Sequence, residues 1–269
     1  MQYDVISSGS KGNSTLVFSH GEILLLDFGI SKRRIEKALL EYGHGFDEIE
    51  GFLITHEHSD HASNVFNAPV EKIYAGVPVL PKLEHSLESS HIFKKFQEIR
   101  IGVFKITPIP LSHDAKNTFG FVIDDGLESL VYLTDTGFVP EIDYPYIKDK
   151  NYYIFESNHD TEMLFNSKRP DYLIKRIISD KGHLSNTDSA YYLSNIVNKN
   201  TKEIVLAHLS DECNKPEIAL STYEYVMQTQ LGYLPEINVR CASETIETKG
   251  GNKEWRFDFW SLEKLEKNI

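Results

Sequence analysis

The sequence predicts an α/β fold, and three observations carry that reading. Strand-length apolar runs alternate with segments of helical periodicity along the whole chain. Many of the runs end in an acidic residue or a histidine just before a turn or helix, at Asp27, His56, His113, Asp135, Glu156 and His208. No low-complexity stretch or linker divides the 269 residues, so a single domain over 1–269 is expected. In α/β folds, residues just past the carboxyl ends of strands collect along one edge, where sites are built.

Residues 5–18 read as two short strands around the turn Ser7-Ser8-Gly9-Ser10-Lys11-Gly12-Asn13-Ser14. Its glycines let the backbone approach a site closely, with Lys11 or Asn13 offered to an anion; a plain hairpin turn is the alternative. Residues 22–26 form a buried strand closed by Asp27 and Gly29. If this strand neighbours the one before His56, Asp27 can orient a ligand histidine by accepting its second N–H. Ile35, Leu39 and Leu40 give residues 30–42 a helical core face, ended by Gly43 and Gly45.

The strand at 51–55 delivers Thr55-His56-Glu57-His58-Ser59-Asp60-His61, in which three imidazoles and a carboxylate fall within six residues. That density points to metal. Strand geometry leans His56 and His58 one way, while His61, past a helix start near Asp60, points elsewhere, so two metal ions are implied. A short helix over 62–67 stops at Pro69. From 72 to 96 no element is assigned, and His85 and His91 are placed on exposed segments outside the site.

Residues 99–110 alternate as strands, with Ile101, Val103 and Ile106 inward, and lead to His113. Strands at 119–123 and 130–134 follow, the second ending in Asp135-Thr136-Gly137, either a common turn or a carboxylate placed to bridge two cations. The strand at 152–155 delivers Glu156-Ser157-Asn158-His159-Asp160. Helices are expected at 162–168 and 172–179, on either side of Pro170, and from a cap at Ser185 or Asn186 through Val197. A strand at 203–207 ends in His208, residues 215–231 form a long helix, and 237–241 return as a strand. The aromatic tail within 250–269 reads as an added edge strand or a self-association surface.

Two cysteines, no apolar run of membrane-span length and an N-terminus without signal-peptide character make the cytoplasm the expected compartment, with no membrane partner. The net charge of −12 repels a polyanion on average. Local basic clusters at Lys168-Arg169 and Lys175-Arg176 run against that average. Arg169 and Arg176 therefore join Lys11, Asn13, Ser185 and Asn186 as candidate substrate-binding residues.

The motif at 55–61 is similar to that of the metallo-β-lactamase superfamily, which implies a four-layer αββα metallo-β-lactamase sandwich with a dinuclear site along one edge. The resemblance places His56, His58 and His113 on one metal and Asp60, His61 and His208 on the other, with Asp135 bridging. The two divalent ions, zinc or manganese by ligand type, would make a water nucleophilic near neutral pH, and Asp60 would aim it. Further stretches are more particular: Ser8-Gly9-Ser10-Lys11-Gly12-Asn13-Ser14, Thr134-Asp135-Thr136-Gly137, Glu156-Ser157-Asn158-His159-Asp160 and Leu206-Ala207-His208-Leu209-Ser210. Together with residues 179–186 they resemble the YycJ/VicX-like metallohydrolases over most of 3–210. Members are regarded as 5′-to-3′ DNA exonucleases, and the resemblance implies that activity here.

Glu156, His183 and His208 also keep the order of acidic residue, histidine and metal histidine seen in ribonuclease Z and the β-CASP nucleases. On that resemblance His183 protonates the departing 3′ oxygen, with Glu156 or His159 tuning its charge. The chain is too short for a β-CASP insertion, and Asn64 stands where a glycine is common. The expected function is a dinuclear metal-dependent phosphodiesterase acting on nucleic acid, with DNA as substrate. A small-molecule or cyclic-nucleotide phosphodiesterase and a non-catalytic regulatory protein on the same fold are the alternatives.

Overall fold

Leu24 and Leu26 face one side of their strand and Ile23 and Leu25 the other, so both faces need cover. The computed structural model, which describes residues 1–83, 88 and 91–252, covers one face with a second sheet and the other with helices. With strands numbered in chain order, the first sheet holds β1 (Gln2–Ser7), β2 (Ser14–Ser19), β3 (Glu22–Leu26), β4 (Ile49–Ile54), β5 (Ile73–Ala75) and β13 (Thr248–Gly251), in the order β13-β1-β2-β3-β4-β5. The second holds β6 (Ile99–Ile101), β7 (Phe104–Pro110), β8 (Phe119–Asp124), β9 (Ser129–Leu133), β10 (Tyr152–Glu156), β11 (Glu203–Ala207) and β12 (Asn238–Cys241), in the order β12-β11-β10-β9-β8-β7-β6.

Between the sheets, Val5, Leu24, Leu26 and Leu53 meet Phe104, Phe121, Tyr132 and Ile154. Outside the first sheet, Ile23, Leu25 and Phe52 pack with Ile35 and Leu39 of α1 (Lys32–Glu41). Outside the second, Val131, Leu133 and Phe155 pack with α6 (Asn186–Ile196) and α7 (Pro216–Leu231) through Leu193, Ile196, Tyr223 and Met227. This is the αββα sandwich. Each buried aliphatic or aromatic side chain contributes about 1.5–3 kcal/mol, so strands covered on both faces hold their carboxyl ends firmly. The shorter helices are α2 (Ser59–Ala62), α3 (Tyr144–Ile147), α4 (Thr161–Phe165) and α5 (Asp171–Ile177).

β3, β4 and β5 run parallel, as do β9, β10, β11 and β12. Asp27, Asp135 and His208 lie within two residues after β3, β9 and β11, and all three sit in the left-handed region at φ 59°, 59° and 57°. Asp and His tolerate that region better than most residues, at a cost of about 1–3 kcal/mol each, and strain of this kind clusters at functional sites.

Several expectations change. Leu40 is 71 % exposed, and α1 turns Ile35, Ala38 and Leu39 inward instead. Val103 lies in the tight turn between β6 and β7 and is half-buried, so Phe104 takes the core position. The unassigned segment contains β5, and His91 stacks on Tyr74 with ring centroids 4.2 Å apart. Ser185 rather than Asn186 caps α6, accepting from Asp188 N. Gly250 and Gly251 end β13, an edge strand paired antiparallel with β1. His85 and the aromatic residues from 255 onward lie outside the described residues.

Candidate active site

Thr55, just past β4, meets two of the metal-motif histidines, His56 and His61. Its backbone N–H and hydroxyl both donate to Asp27 Oδ1, at 2.8 and 2.9 Å, which leaves the hydroxyl oxygen to accept from His56 Nδ1 at 3.0 Å. Asp27 Oδ2 accepts from His61 Nδ1 at 2.7 Å. Across the cleft, His113 Nδ1 donates to the Gly182 carbonyl at 3.2 Å and His208 Nδ1 to Glu156 Oε1 at 3.1 Å. Four imidazoles thus have Nδ1 held by the protein, which fixes the tautomer that leaves Nε2 free for a cation.

Backbone approach makes this packing possible. A Cβ on Gly29 would lie 1.6 Å from the Asp60 carbonyl oxygen, and one on Gly182 would lie 2.0 Å from that of Ile177. Only glycine lets the turn after β3 seat against α2, and the loop after α5 fold back to reach His113.

The ligand-type atoms form two sets. His56, His58 and His113 can each place one atom within 4.8 Å of the others, and so can Asp60, His61, Asp135 and His208. Asp135 stands between them, Oδ2 lying 2.5 Å from His61 Nε2 and 4.0 Å from His56 Nε2. His56 Nε2, His208 Nε2 and Asp135 Oδ2 are buried without an aligned hydrogen bond. Buried polar atoms rarely stay unpartnered, and imidazole nitrogens facing carboxylates suit zinc or manganese. The donor set therefore fits divalent cations. The local field agrees. Burial alone would depress the His61 pKa, but Asp27 and Asp135 outweigh it and raise it well above the usual range, so the surroundings favour positive charge there. His56, by contrast, is pushed well below its usual range, chiefly by burial, and presents a neutral nitrogen.

A third possible group, Asp135, Glu156, His183 and His208, shares members with the second. Here Glu156 Oε1 is taken by His183 Nδ1 at 2.7 Å as well as by His208 Nδ1, and Oε2 accepts from Thr136 N at 2.8 Å. These are hydrogen bonds that fix His183 at the cavity wall. They are not a coordination set waiting for an ion.

The cavity itself encloses about 280 Å³ and is lined by His58, Asp60, His113, Asp135, His183 and His208 together with Arg169, Arg176 and Lys181. Arg176 pairs through Nε and a terminal nitrogen with Asp114, whose Oδ1 lies 3.2 Å from His113 Nε2. Arg169 pairs with Glu212 at 3.0 Å.

Other sequence candidates sit elsewhere. Lys11 is exposed and pairs with Asp211 and with Glu244, the latter at 2.9 Å, so carboxylates already occupy its ammonium group. Asn13 is buried; its side chain bonds Gly9 and approaches His61 Nε2 at 2.9 Å, while its N–H donates to the Asp60 carbonyl at 2.7 Å. It props the motif helix, its amide also reaching Asp60 Oδ2 at 3.5 Å. Ser185 is spent on capping α6, and Asn186 bonds Ser157 and Asn214 inside the protein. His159 is buried off the cavity wall with Nδ1 unpartnered, burial pushing its pKa down to about 4. Glu156, not His159, is the group bonded to His183. Residues given no role from the sequence are Thr55, Asp114, Tyr132 and Asn158, the last donating to the His208 carbonyl at 2.8 Å. Thr55 and Asp114 adjoin motif histidines, which is the signal that could have found them.

An αββα sandwich that gathers imidazoles and carboxylates at the carboxyl ends of its parallel strands defines a metal-dependent hydrolase. The chain belongs to the metallo-β-lactamase superfamily and, within it, to the family of YycJ and WalJ: residues 24–208 match the β-lactamase superfamily domain. It is 31 % identical over 239 residues to an exodeoxyribonuclease YycJ of Bacillus anthracis, covering 85 % of this chain and 89 % of that one. It is 35 % identical over 245 residues to an exodeoxyribonuclease WalJ of Streptococcus pneumoniae, covering 86 % and 90 %. The metallo-β-lactamase fold protein YhfI from Bacillus subtilis superposes with a TM-score of 0.66 at 16 % identity, over 93 % of this chain and 99 % of that one.

Proposed function

We propose that this hydrolase cleaves phosphodiester bonds of DNA, removing nucleotides from a 5′ end, with His56, His58 and His113 holding one divalent ion, Asp60, His61 and His208 a second, and Asp135 both. The observation that carries the reading is His183 on the cavity wall, anchored by Glu156 beside the ligand cluster. Thioester hydrolysis has no use for an acid there, because a thiolate departs unprotonated; an alkoxide leaving group needs one. The full ligand set speaks against a scaffold role, and the names of the two relatives support DNA as the polymer.

Bound zinc or manganese would supply Lewis acidity at a phosphoryl oxygen and make water nucleophilic near neutral pH. The chain does the rest. Asp60 is held ionised: burial pushes its pKa up, but the imidazoles of His208 and His61, whose Nε2 atoms lie 3.8 and 3.4 Å from its Oδ2, more than reverse this, leaving a carboxylate that can accept a hydrogen bond from water and aim it. Glu156 keeps Nδ1 of His183 engaged, so the other ring nitrogen is the one that can protonate the leaving oxygen. Arg176 and Lys181 offer positive charge to phosphates at the rim, where a local field can outweigh the negative average.

End-labelled linear DNA bearing a 5′ phosphate should be shortened in a metal-dependent way while a closed circle resists. Cutting of circles at the same rate would exclude an exonuclease. Turnover confined to small phosphodiesters would exclude the polymer.

A further inference from the structure

One strand of the second sheet bears on both nitrogens of His61, which lies in α2 beyond the end of β4: on one directly, on the other through Asp27. Asp135, just past β9, brings Oδ2 to 2.5 Å from Nε2. Tyr132, inside β9, donates its hydroxyl at 3.1 Å to Asp27 Oδ2, the oxygen that accepts from Nδ1. Its ring lies in the core between the sheets, and only 2 % of the residue is exposed. Asp27 is fully buried, with Oδ1 already committed to Thr55. Without the phenol, Oδ2 would keep His61 as its one strong donor and could rotate off the imidazole plane. Burial, followed by Asp27, raises the Tyr132 pKa well above its usual value, so the hydroxyl remains a donor throughout the working pH range.

We propose that Tyr132 is a positioning residue for the metal centre: by fixing the Asp27 carboxylate that orients His61, it sets the affinity of the ion held there and couples ion loading to the packing of the two sheets. This rests on the reading of His61 as a metal ligand. Carboxylate–imidazole relays behind a metal are worth about 10–100-fold in affinity, and the phenol-to-carboxylate bond that anchors this relay is charge-assisted.

The test uses the full chain carrying Tyr132→Phe, which keeps the ring and removes only the hydroxyl. Metal-free protein is titrated with cobalt(II), read by its visible absorption, and with zinc against a competing chelator. One ion should bind about tenfold more weakly or worse. The metal-free melting temperature should stay close to that of the parent, while the rise in melting temperature on adding metal shrinks. At saturating metal, kcat should fall with KM unchanged. In an Asp27→Asn background, Tyr132→Phe should add no further loss, because the two act through one relay. Parental affinity in Tyr132→Phe, additive losses in the double variant, or a metal-free variant that does not fold would each overturn the proposal. Unchanged metal binding by His61→Ala would instead overturn the assignment of the site.

Discussion

Glu156 Oε1 accepts a hydrogen bond from His183 Nδ1 at 2.7 Å, and the carboxylate is fully buried behind the cavity wall. Burial pushes its pKa upward, but the charge of His183 and the bonds from His183 and His208 more than reverse this, so it stays ionised. A carboxylate on Nδ1 fixes the ring and leaves its other nitrogen as the one that can hand a proton to a leaving oxygen. The same oxygen also steadies His208, so the proposed acid and a proposed metal ligand are tied to one group.

His183→Ala should therefore keep metal binding and slow DNA cleavage by roughly a hundredfold, the usual contribution of a general acid. A nitrophenyl phosphodiester, whose leaving group departs unaided, should be affected far less. Comparing kcat on the two substrates decides it; equal slowing would remove His183 from the acid role.

Asp135 stands between the two ligand sets, with Oδ2 facing His61 and His56 and Oδ1 lying 3.3 Å from His208 Nδ1. Asp135→Ala should lower metal content from near two ions per chain to one or fewer, measured by elemental analysis after purification without added metal. The rise in melting temperature on adding metal should also be smaller than in the parent.

The strand ends were legible in the sequence for a physical reason. Parallel strands covered on both faces read as unbroken apolar runs, and those of β3, β4, β9, β10 and β11 stop at or within two residues of a ligand-type side chain. β5 was not legible because its three residues carry too little pattern. Tyr132 was invisible for another reason: it sits mid-strand in an apolar run, and its partner Asp27 is 105 residues away. The pairing of Lys11 could not be read from the sequence, because its carboxylate partners lie 200 and 233 residues further along the chain. Periodicity reports local structure, and none of these pairings is local.

Asp143 is wholly buried next to α3, and neither carboxylate oxygen has a hydrogen-bond partner. Burial raises its pKa from 3.8 to about 7, against a smaller opposing pull from Lys95. The folded state then binds this proton more tightly than the unfolded chain, so the stability tied to it is full below pH 3.8 and is lost as pH rises through about 7. Asp143→Asn, which mimics the protonated form, should melt higher than the parent at pH 8, and the gap should close as pH falls toward 4. Parallel melting curves at pH 4, 6 and 8 test this; a gap that does not change with pH would show that the carboxylate finds a partner in solution.

Arg176 faces the cavity while paired with Asp114, so a DNA phosphate must win it from a carboxylate that is itself near His113. Exposed ion pairs of this kind are worth about 0–1 kcal/mol, which a backbone phosphate can replace without net loss. If Arg176 makes that exchange, each phosphate it neutralises releases condensed counterions and contributes about 0.9 to the slope of log K against log salt. Arg176→Ala, placed in a His183→Ala background so that DNA is cut slowly enough for binding to be read first, should weaken binding and flatten that slope by about one. Asp114→Asn should do the reverse at low salt, tightening binding because the guanidinium no longer has a competitor. An unchanged slope in Arg176→Ala would mean that the pair stays closed over the bound strand, and that Lys181 and Arg169 carry the phosphate contacts alone.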